Sequence, residues 1–346
     1  MNARGRQRDW AGLVPELVYT IAREVTDISD FIRFRAVCKK WRSATTIADM
    51  SPQFPWLLNE TTGPDLHFYS IALIKSFTFH VPKISDDEYV VNPCHGLMLV
   101  KSSSSKLSWW LLNPLNNNVV SLPSMREFSW ELIGSPGYQS RDYVVVEGCK
   151  HLNVVKPGDD KWIKLEKKDS DFYFYFKNLL FIFDVFSWFT KVIDLCTHET
   201  VFVVPPPPKK FQFCDFGPTL IESYGEVLLV NYLLGSKKIV IQQLEYGNGQ
   251  GNPHWVEVTS IGDRMLFINF HKLFGAFSLR ASDFCGSNLN GNCIYYITRH
   301  KNWRSPNTIE KYCTVEKYDI KTATTEELHV ERQNNISWYL PALNHI

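Results

Sequence analysis

Residues 13–42, LVPELVYTIAREVTDISDFIRFRAVCKKWR, pack three helical signals into one short stretch before the chain changes character. Pro15 suits the first turn of a helix, where a missing N–H costs nothing, and Glu16 complements the positive end of the helix dipole. Val14, Leu17, Val18, Ile21 and Val25 then recur at the spacing of one helical stripe. In the break that follows, Asp27 and Ser29 are available as caps for a second helix. Phe31, Phe34, Val37, Cys38 and Trp41 carry the apolar spacing onward, while Arg33, Arg35, Lys39, Lys40 and Arg42 form a basic face. A helical unit this small buries too little surface to fold well alone. Its apolar face is expected to meet either the rest of the chain or another protein, and spacing alone suits a hairpin packed on the following domain equally well.

After Pro52 and Pro55, which discourage helix continuation, the pattern turns to short apolar runs separated by turn residues. GLMLV, SWWLLNP and VVSLP come first; EVLLVNYLL, KKIVIQQLEY, NCIYYITRH and CTVEKYDI come later. Such spacing predicts an all-β body of sandwich, barrel or propeller type. The apolar segment 171–189 is interrupted by Lys177 and Asp184, and its aromatic make-up around a Lys-Asn turn predicts a hairpin, not a membrane span. A strand ending in a polar residue, then a turn, recurs in WLLNPLNNNVVSL, FIFDVFSWFTKVIDL and EKYDIKTATTEEL. Trp162 and Trp255, each opening a W-[IV]-x-[LV] run, lie two repeat lengths apart. Radial repetition of this kind favours a β-propeller of about six or seven blades over a large sandwich.

The chain has 346 residues with a net charge of +1, which gives no electrostatic case for nucleic acid or an anionic membrane as partner. Arg4, Arg6 and Arg8 precede no apolar run, so residues 1–8 read as a disordered tail and not a secretory signal. Eight cysteines without a C-x-x-C pair read as reduced thiols of an intracellular protein of the cytoplasm or nucleus.

Catalytic and cofactor motifs are missing: there is no G-x-S-x-G, H-E-x-x-H, Walker or G-x-G-x-x-G stretch, and the glycine cluster 247–252 opens no helix. Cys94-His95 and the trio Cys285, Cys293 and His300 lack the spacing of a metal site. No cofactor and no metal are expected. Candidate partner surfaces remain. Trp188 and Phe189 occupy an apolar turn, with a fold-back over the rim as the structural alternative. Trp303 and Arg304 sit in the polar loop RHKNWRSPNT and are residue types that anchor interfaces, with a half-buried loop anchor as the structural alternative. Pro205 to Pro208 reads as a rigid spacer.

The stretch Val14-Pro15-Glu16-Leu17, Ile21, then Phe31 to Arg42 ending in Cys38-Lys39-Lys40-Trp41-Arg42, resembles an F-box, with Val14 in place of the usual leucine. Further on, NPCHGLMLV, LLNPLNNNVVSLP, LIESYGEVLLV, HWVEVTSIGDRMLFI and DFCGSNLNGNCIYYI follow the order of plant F-box proteins with a carboxy-terminal domain of unknown function 295. The resemblance implies a small all-α F-box of three helices at 9–50, followed by an all-β propeller-like recognition domain at 51–346. It implies that Val14, Pro15, Leu17, Val18 and Ile21 bind a SKP-type linker protein and through it a cullin. Phe34, Val37 and Trp41 would form the F-box core, and the propeller would hold an unknown protein substrate for ubiquitination. The protein would then be a non-catalytic adaptor. Two alternatives stand beside it: a scaffold that binds the linker without promoting ubiquitination, and an enzyme whose active site lies in the propeller channel.

Overall fold

Pro15 opens α1 (Pro15–Glu24), with Glu16 in the first turn and Arg23 in the last; both charges complement the helix dipole. Asp27 caps α2 (Ile28–Ala36), its Oδ1 accepting the N–H of Ser29 at 2.7 Å and of Asp30 at 3.1 Å. Ser29, the other residue expected to cap, is therefore a donor to the cap. Cys38 caps α3 (Lys39–Ala44), where its Sγ accepts the N–H of Trp41 at 3.5 Å. That bond gives the C-x-x-W spacing a physical reason, since the cap places Trp41 one turn in and facing the core. Trp41 Nε1 donates to the Trp10 carbonyl at 3.2 Å, and its ring lies 4.5 Å from that of Phe34.

The computed structural model describes residues 9–59, 62–86, 88–94, 96–101, 109–123, 130–134, 143–148, 152–156, 159–165, 171–207, 218–233, 236–246, 252–270, 276–284, 289–305, 308–333 and 335–341. The chain divides into two units, Met1–Phe54 and Pro55–Ile346. The expected tail 1–8 and most of the glycine cluster lie outside the described residues.

The second unit is built from strands. In chain order they are β1 (Trp56–Asn59), β2 (Asp65–Ser70), β3 (Lys75–His80), β4 (Tyr89–Cys94), β5 (Leu97–Lys101), β6 (Trp109–Asn113), β7 (Asn118–Ser121), β8 (Trp130–Gly134), β9 (Tyr143–Gly148), β10 (Leu152–Val155), β11 (Ile163–Leu165), β12 (Asp171–Phe176) and β13 (Leu179–Asp184). They continue with β14 (Thr190–Asp194), β15 (Thr200–Val204), β16 (Thr219–Ser223), β17 (Glu226–Leu233), β18 (Lys238–Glu245), β19 (His254–Val258), β20 (Arg264–Asn269), β21 (Phe277–Arg280), β22 (Cys293–Ser305), β23 (Thr308–Asp319), β24 (Thr324–Gln333) and β25 (Ile336–Tyr339).

Five sheets are regular four-stranded blades: β25-β1-β2-β3, β4 to β7, β8 to β11, β12 to β15 and β16 to β19. A further sheet has five strands in the order β21-β20-β22-β23-β24. The strands β25, β4, β8, β12 and β16 neighbour one another in turn, β16 meets β21, and β20 meets β25, which closes the ring. The unit is a β-propeller in which the carboxy-terminal strand completes the first blade. About six or seven blades were expected; the structure corrects this to five regular blades, with one sheet of different build in the ring. Trp162 and Trp255 stand at the fourth strands of two blades with one blade between them, as their spacing implied.

Local chemistry explains the regular blades. Lys177 and Asn178, with φ of 50° and 63°, make the two-residue turn between β12 and β13, which are paired from Asp171↔Asp184 to Phe176↔Leu179. The apolar segment 171–189 is thus a hairpin. Asn113, Asp184, Asp194 and Asp319 end strands and cap the loops that follow: their Oδ1 atoms accept backbone N–H groups at 2.9 Å from Leu115, 2.9 Å from Phe186, 2.6 Å from Cys196 and 2.9 Å from Thr322. Four residues after each, the chain takes a left-handed conformation, at Asn117, Trp188, His198 and Ala323. The recurring strand-polar-turn pattern is this capped loop. Between blades the core is apolar and aromatic, as where Phe181, Phe183 and Trp188 pack with Leu229, Leu244 and Trp255.

The irregular sheet depends on a close crossing. After β21 the chain returns past the start of β20, so that β22 runs parallel to β20. A Cβ on Gly291 would lie 2.5 Å from the Asp263 backbone. Next to it Asn292, at φ 58°, donates its N–H to the Arg264 carbonyl at 2.8 Å and accepts the Ile261 N–H on Oδ1 at 2.9 Å. The strands that follow have 13, 12 and 10 residues, longer than any in the regular blades.

Two predictions follow from this packing. Gly291→Ala forces backbone apart and is expected to cost about 1–3 kcal/mol, the usual penalty for overpacking; urea unfolding of the full chain measures it, and an unchanged midpoint contradicts the crossing. Burial also pushes the phenols of Tyr295, Tyr296 and Tyr339 above their ordinary value of 10. The unfolded chain then releases protons that the folded protein keeps, so this stability is full below about pH 10 and falls as pH rises past it. Thermal midpoints scanned across that range should drop on the alkaline side; a flat profile would contradict the burial.

Candidate functional site

The apolar arc of α1 serves two environments. Val18 and Ala22 are 1% and 0% exposed and pack inward in a unit whose other buried residues include Ile28, Phe31 and Trp41. Val14, Leu17 and Ile21 are 51%, 52% and 40% exposed, and Pro15 stands exposed between them. Of the five residues expected to face a linker, Val18 is corrected to a core position. It lies one helical step round from Leu17, and that step turns its side chain inward.

The expected core trio also divides. Trp41 is buried and Phe34 is half-buried against its ring, but Val37 is 58% exposed. Val37 follows the last residue of α2, so the break before α3 resets the helical phase that the spacing had carried across it. Ile32, which sequence reasoning passed over, is exposed to a similar degree. Its position beside Phe31, one step off the buried stripe, was the available signal.

On the propeller, Trp188 is corrected to a core residue. Asp184 caps the loop through Phe186 N–H at 2.9 Å and Ser187 Oγ at 2.6 Å, and the left-handed turn at Trp188 folds the indole edge-on to Phe183 at 5.6 Å. Phe189 and Phe186 remain exposed. Trp303 and Arg304 belong to β22 and not to a loop, with Trp303 paired to Ile309; their side chains lie outside the description. A cleft of about 210 Å³ lies on the first blade, where Tyr69 and His67 line it with Val330 of β24. His67 Nδ1 is hydrogen-bonded to Thr78 Oγ1 at 3.1 Å.

Titratable groups near the inner strands have structural employment. Burial raises the Glu222 carboxyl above its ordinary range, while its Oε1 accepts the Gly225 N–H at 2.6 Å within its own turn. Arg264 joins blades by donating to the Glu226 carboxylate and to the Ser223 carbonyl at 3.2 Å. Among the described residues no cluster of His, Cys, Asp and Glu could hold a metal ion, and no helix is long and apolar enough to cross a membrane. Among the described cysteines, Cys38, Cys196 and Cys293 are free thiols.

Comparison with known proteins places this geometry. The model of the KIB1-4 beta-propeller family matches residues 68–324, a span that contains all five ordered blocks noted in the sequence. The match carries that name and not the domain-of-unknown-function label. An F-box/kelch-repeat protein of Arabidopsis thaliana is 23% identical over 281 residues, covering 77% of this chain and 78% of the relative. An F-box protein of the same plant is 21% identical over 333 residues, covering 84% of this chain and 95% of the relative. Among solved structures, TolB from Acinetobacter baumannii aligns with a TM-score of 0.47 at 10% identity, covering 89% of this chain and 72% of that one.

The division of α1 predicts opposite outcomes for adjacent residues. Val18→Ala should cost about 1.5–3 kcal/mol, from two buried methyl groups and the cavity they leave, whereas Leu17→Ser should stay within about 0.5 kcal/mol as a surface change. Chemical denaturation of both variants checks this; equal losses would mean that Leu17 is not free.

Proposed function

This chain belongs to the KIB1-4 beta-propeller family, and from that premise we propose that it is a substrate-recognition adaptor of an SCF-type cullin–RING ubiquitin ligase. The observation that carries the reading is the outward edge of α1, where Val14, Pro15, Leu17 and Ile21 are exposed on a helix that already packs inward through Val18 and Ala22. The F-box names of the Arabidopsis relatives support it.

In this reading the exposed edge docks on a SKP-type linker protein, which in turn binds a cullin. Each apolar side chain buried there contributes about 1.5–3 kcal/mol before association costs, and lost translational and rotational freedom offsets a large part of the sum. The propeller holds a protein substrate. Catalysis is supplied elsewhere in the complex, and the adaptor raises the effective concentration of a substrate lysine near the ubiquitin-charged enzyme. No cofactor and no metal take part, and the complex works in the cytoplasm or nucleus.

Co-purification of the full chain with a recombinant SKP-type linker tests the reading. Pro15→Ala combined with Leu17→Asp should abolish the complex while leaving the thermal midpoint of the chain nearly unchanged. Undiminished binding would remove the assignment.

A further inference from the structure

A fifth loop of the capped kind joins β2 to β3, and its side chains break the pattern of the others. Ser70 ends β2, and its Oγ accepts the Leu73 N–H at 3.2 Å. Four residues after Ser70, Ile74 takes the left-handed conformation, with φ of 50°. Asn117 and His198 hold the same place in other blades and are residue types that tolerate it. Trp188 is left-handed too, but its ring packs in the core. A β-branched side chain fits positive φ poorly, and Ile74 gains no burial in return, being 80% exposed. Leu73 beside it is 41% exposed. Where the other loops carry Asn116, Thr197 or Lys321-Thr322 at their tips, this one carries Ile71-Ala72-Leu73-Ile74. A strained apolar side chain held in water contributes nothing to folding, and such strain gathers at functional contacts.

The cleft on the first blade begins at the same loop. Ser70 pairs with Lys75 across the hairpin; the next pair, Tyr69 and Ser76, lines the cleft, and His67 and Thr78 line it further along. These residues bring hydroxyls and an imidazole, while Leu57, Val330 and Ile336 bring apolar surface. At about 210 Å³ the cleft is smaller than the roughly 300–1,000 Å³ of sites that enclose drug-sized ligands. It has room for one aliphatic or aromatic side chain, since a dry cavity of about 150 Å³ holds benzene. Thr78 and Ile74 are separated by four residues of chain, roughly 13 Å when extended.

We infer that this cleft and hairpin tip seat an extended segment of the protein substrate, one with two apolar side chains about four residues apart. The first side chain fills the cleft against Leu57, Val330 and Ile336, and the segment's backbone bonds to the hydroxyls and imidazole beside it. The second packs on Leu73 and Ile74. A compact small molecule fills the cleft without reaching Ile74, and a bilayer contact needs more apolar surface than two side chains. The inference rests on the reading of the propeller as the part that holds a substrate, and it says where.

The test selects a phage-displayed library of random twelve-residue peptides on the full chain, then titrates the recovered peptides as labelled synthetic probes. Leu73→Ser/Ile74→Asn and, separately, Thr78→Trp, which fills the cleft, should each lose at least about tenfold in affinity. Phe186→Ser, on the exposed loop of another blade, should bind like the native chain. Asparagine suits the left-handed position, so Ile74→Asn alone should keep or raise the thermal midpoint. A lower midpoint would mean that Ile74 serves the fold and would overturn the inference. Recovery of no binding peptide, or of peptides indifferent to the tip and cleft variants, overturns it as well. Co-purification with the linker is scored separately. A chain that binds the linker but fails these titrations loses only the substrate seat; one that passes them without binding the linker keeps the peptide site and loses the adaptor role.

Discussion

A three-helix unit of this size has too much surface for its volume to place every apolar side chain inside. The rest of the account depends on how α1 resolves that constraint. Its apolar arc is wider than the space that Ile28, Phe31 and Trp41 leave, so Val18 and Ala22 go in and Val14, Leu17 and Ile21 stay out. Sealing the whole arc would need more chain or another helix. Leaving half of it exposed costs solubility and offers a surface whose apolar groups gain free energy only when something covers them. The caps make the division reproducible: Asp27 and Cys38 set where α2 and α3 begin, and so where Phe31 and Trp41 point.

The propeller meets a different constraint. Each blade is a small sheet with two apolar faces, and neither is buried until another blade stacks on it. The ring closes where the two ends of the propeller unit meet in one blade, β25 pairing with β1 from Trp56↔Tyr339 to Asn59↔Ile336. Trp338 locks that strand to the neighbouring sheet, with Nε1 donating to the Ile268 carbonyl at 3.0 Å.

Much of this was legible before any coordinates, because it is written in local chemistry. Pro15 at a helix start, Asp27 as a cap, Lys177-Asn178 as a hairpin turn and the Asn or Asp that ends a strand each act within a few residues. The readings that needed correction concern long-range geometry. Val37 was misplaced because helical phase does not survive the break before α3. Trp188 was read as surface because a turn usually is, but a left-handed residue after an Asp-capped loop can fold its ring back. Trp303 was assigned to a loop because RHKNWRSPNT looks polar, although strand pairing across β22 and β23 overrides composition there. The irregular sheet had no signal that spacing could carry, since its crossing depends on Gly291 passing Asp263 in space. The exposed half of α1 was within the pattern; which half was not.

The functional account requires that the helical unit, and not the propeller, receives the linker. Amide hydrogen exchange of the full chain, followed by mass spectrometry with and without a stoichiometric SKP-type linker, measures this directly. Slowed exchange within the helical unit, strongest in peptides covering residues 14–24, with those from 55 onward unchanged, is the predicted result. Protection that falls on the propeller, or none anywhere under conditions where the two proteins co-elute, would contradict it.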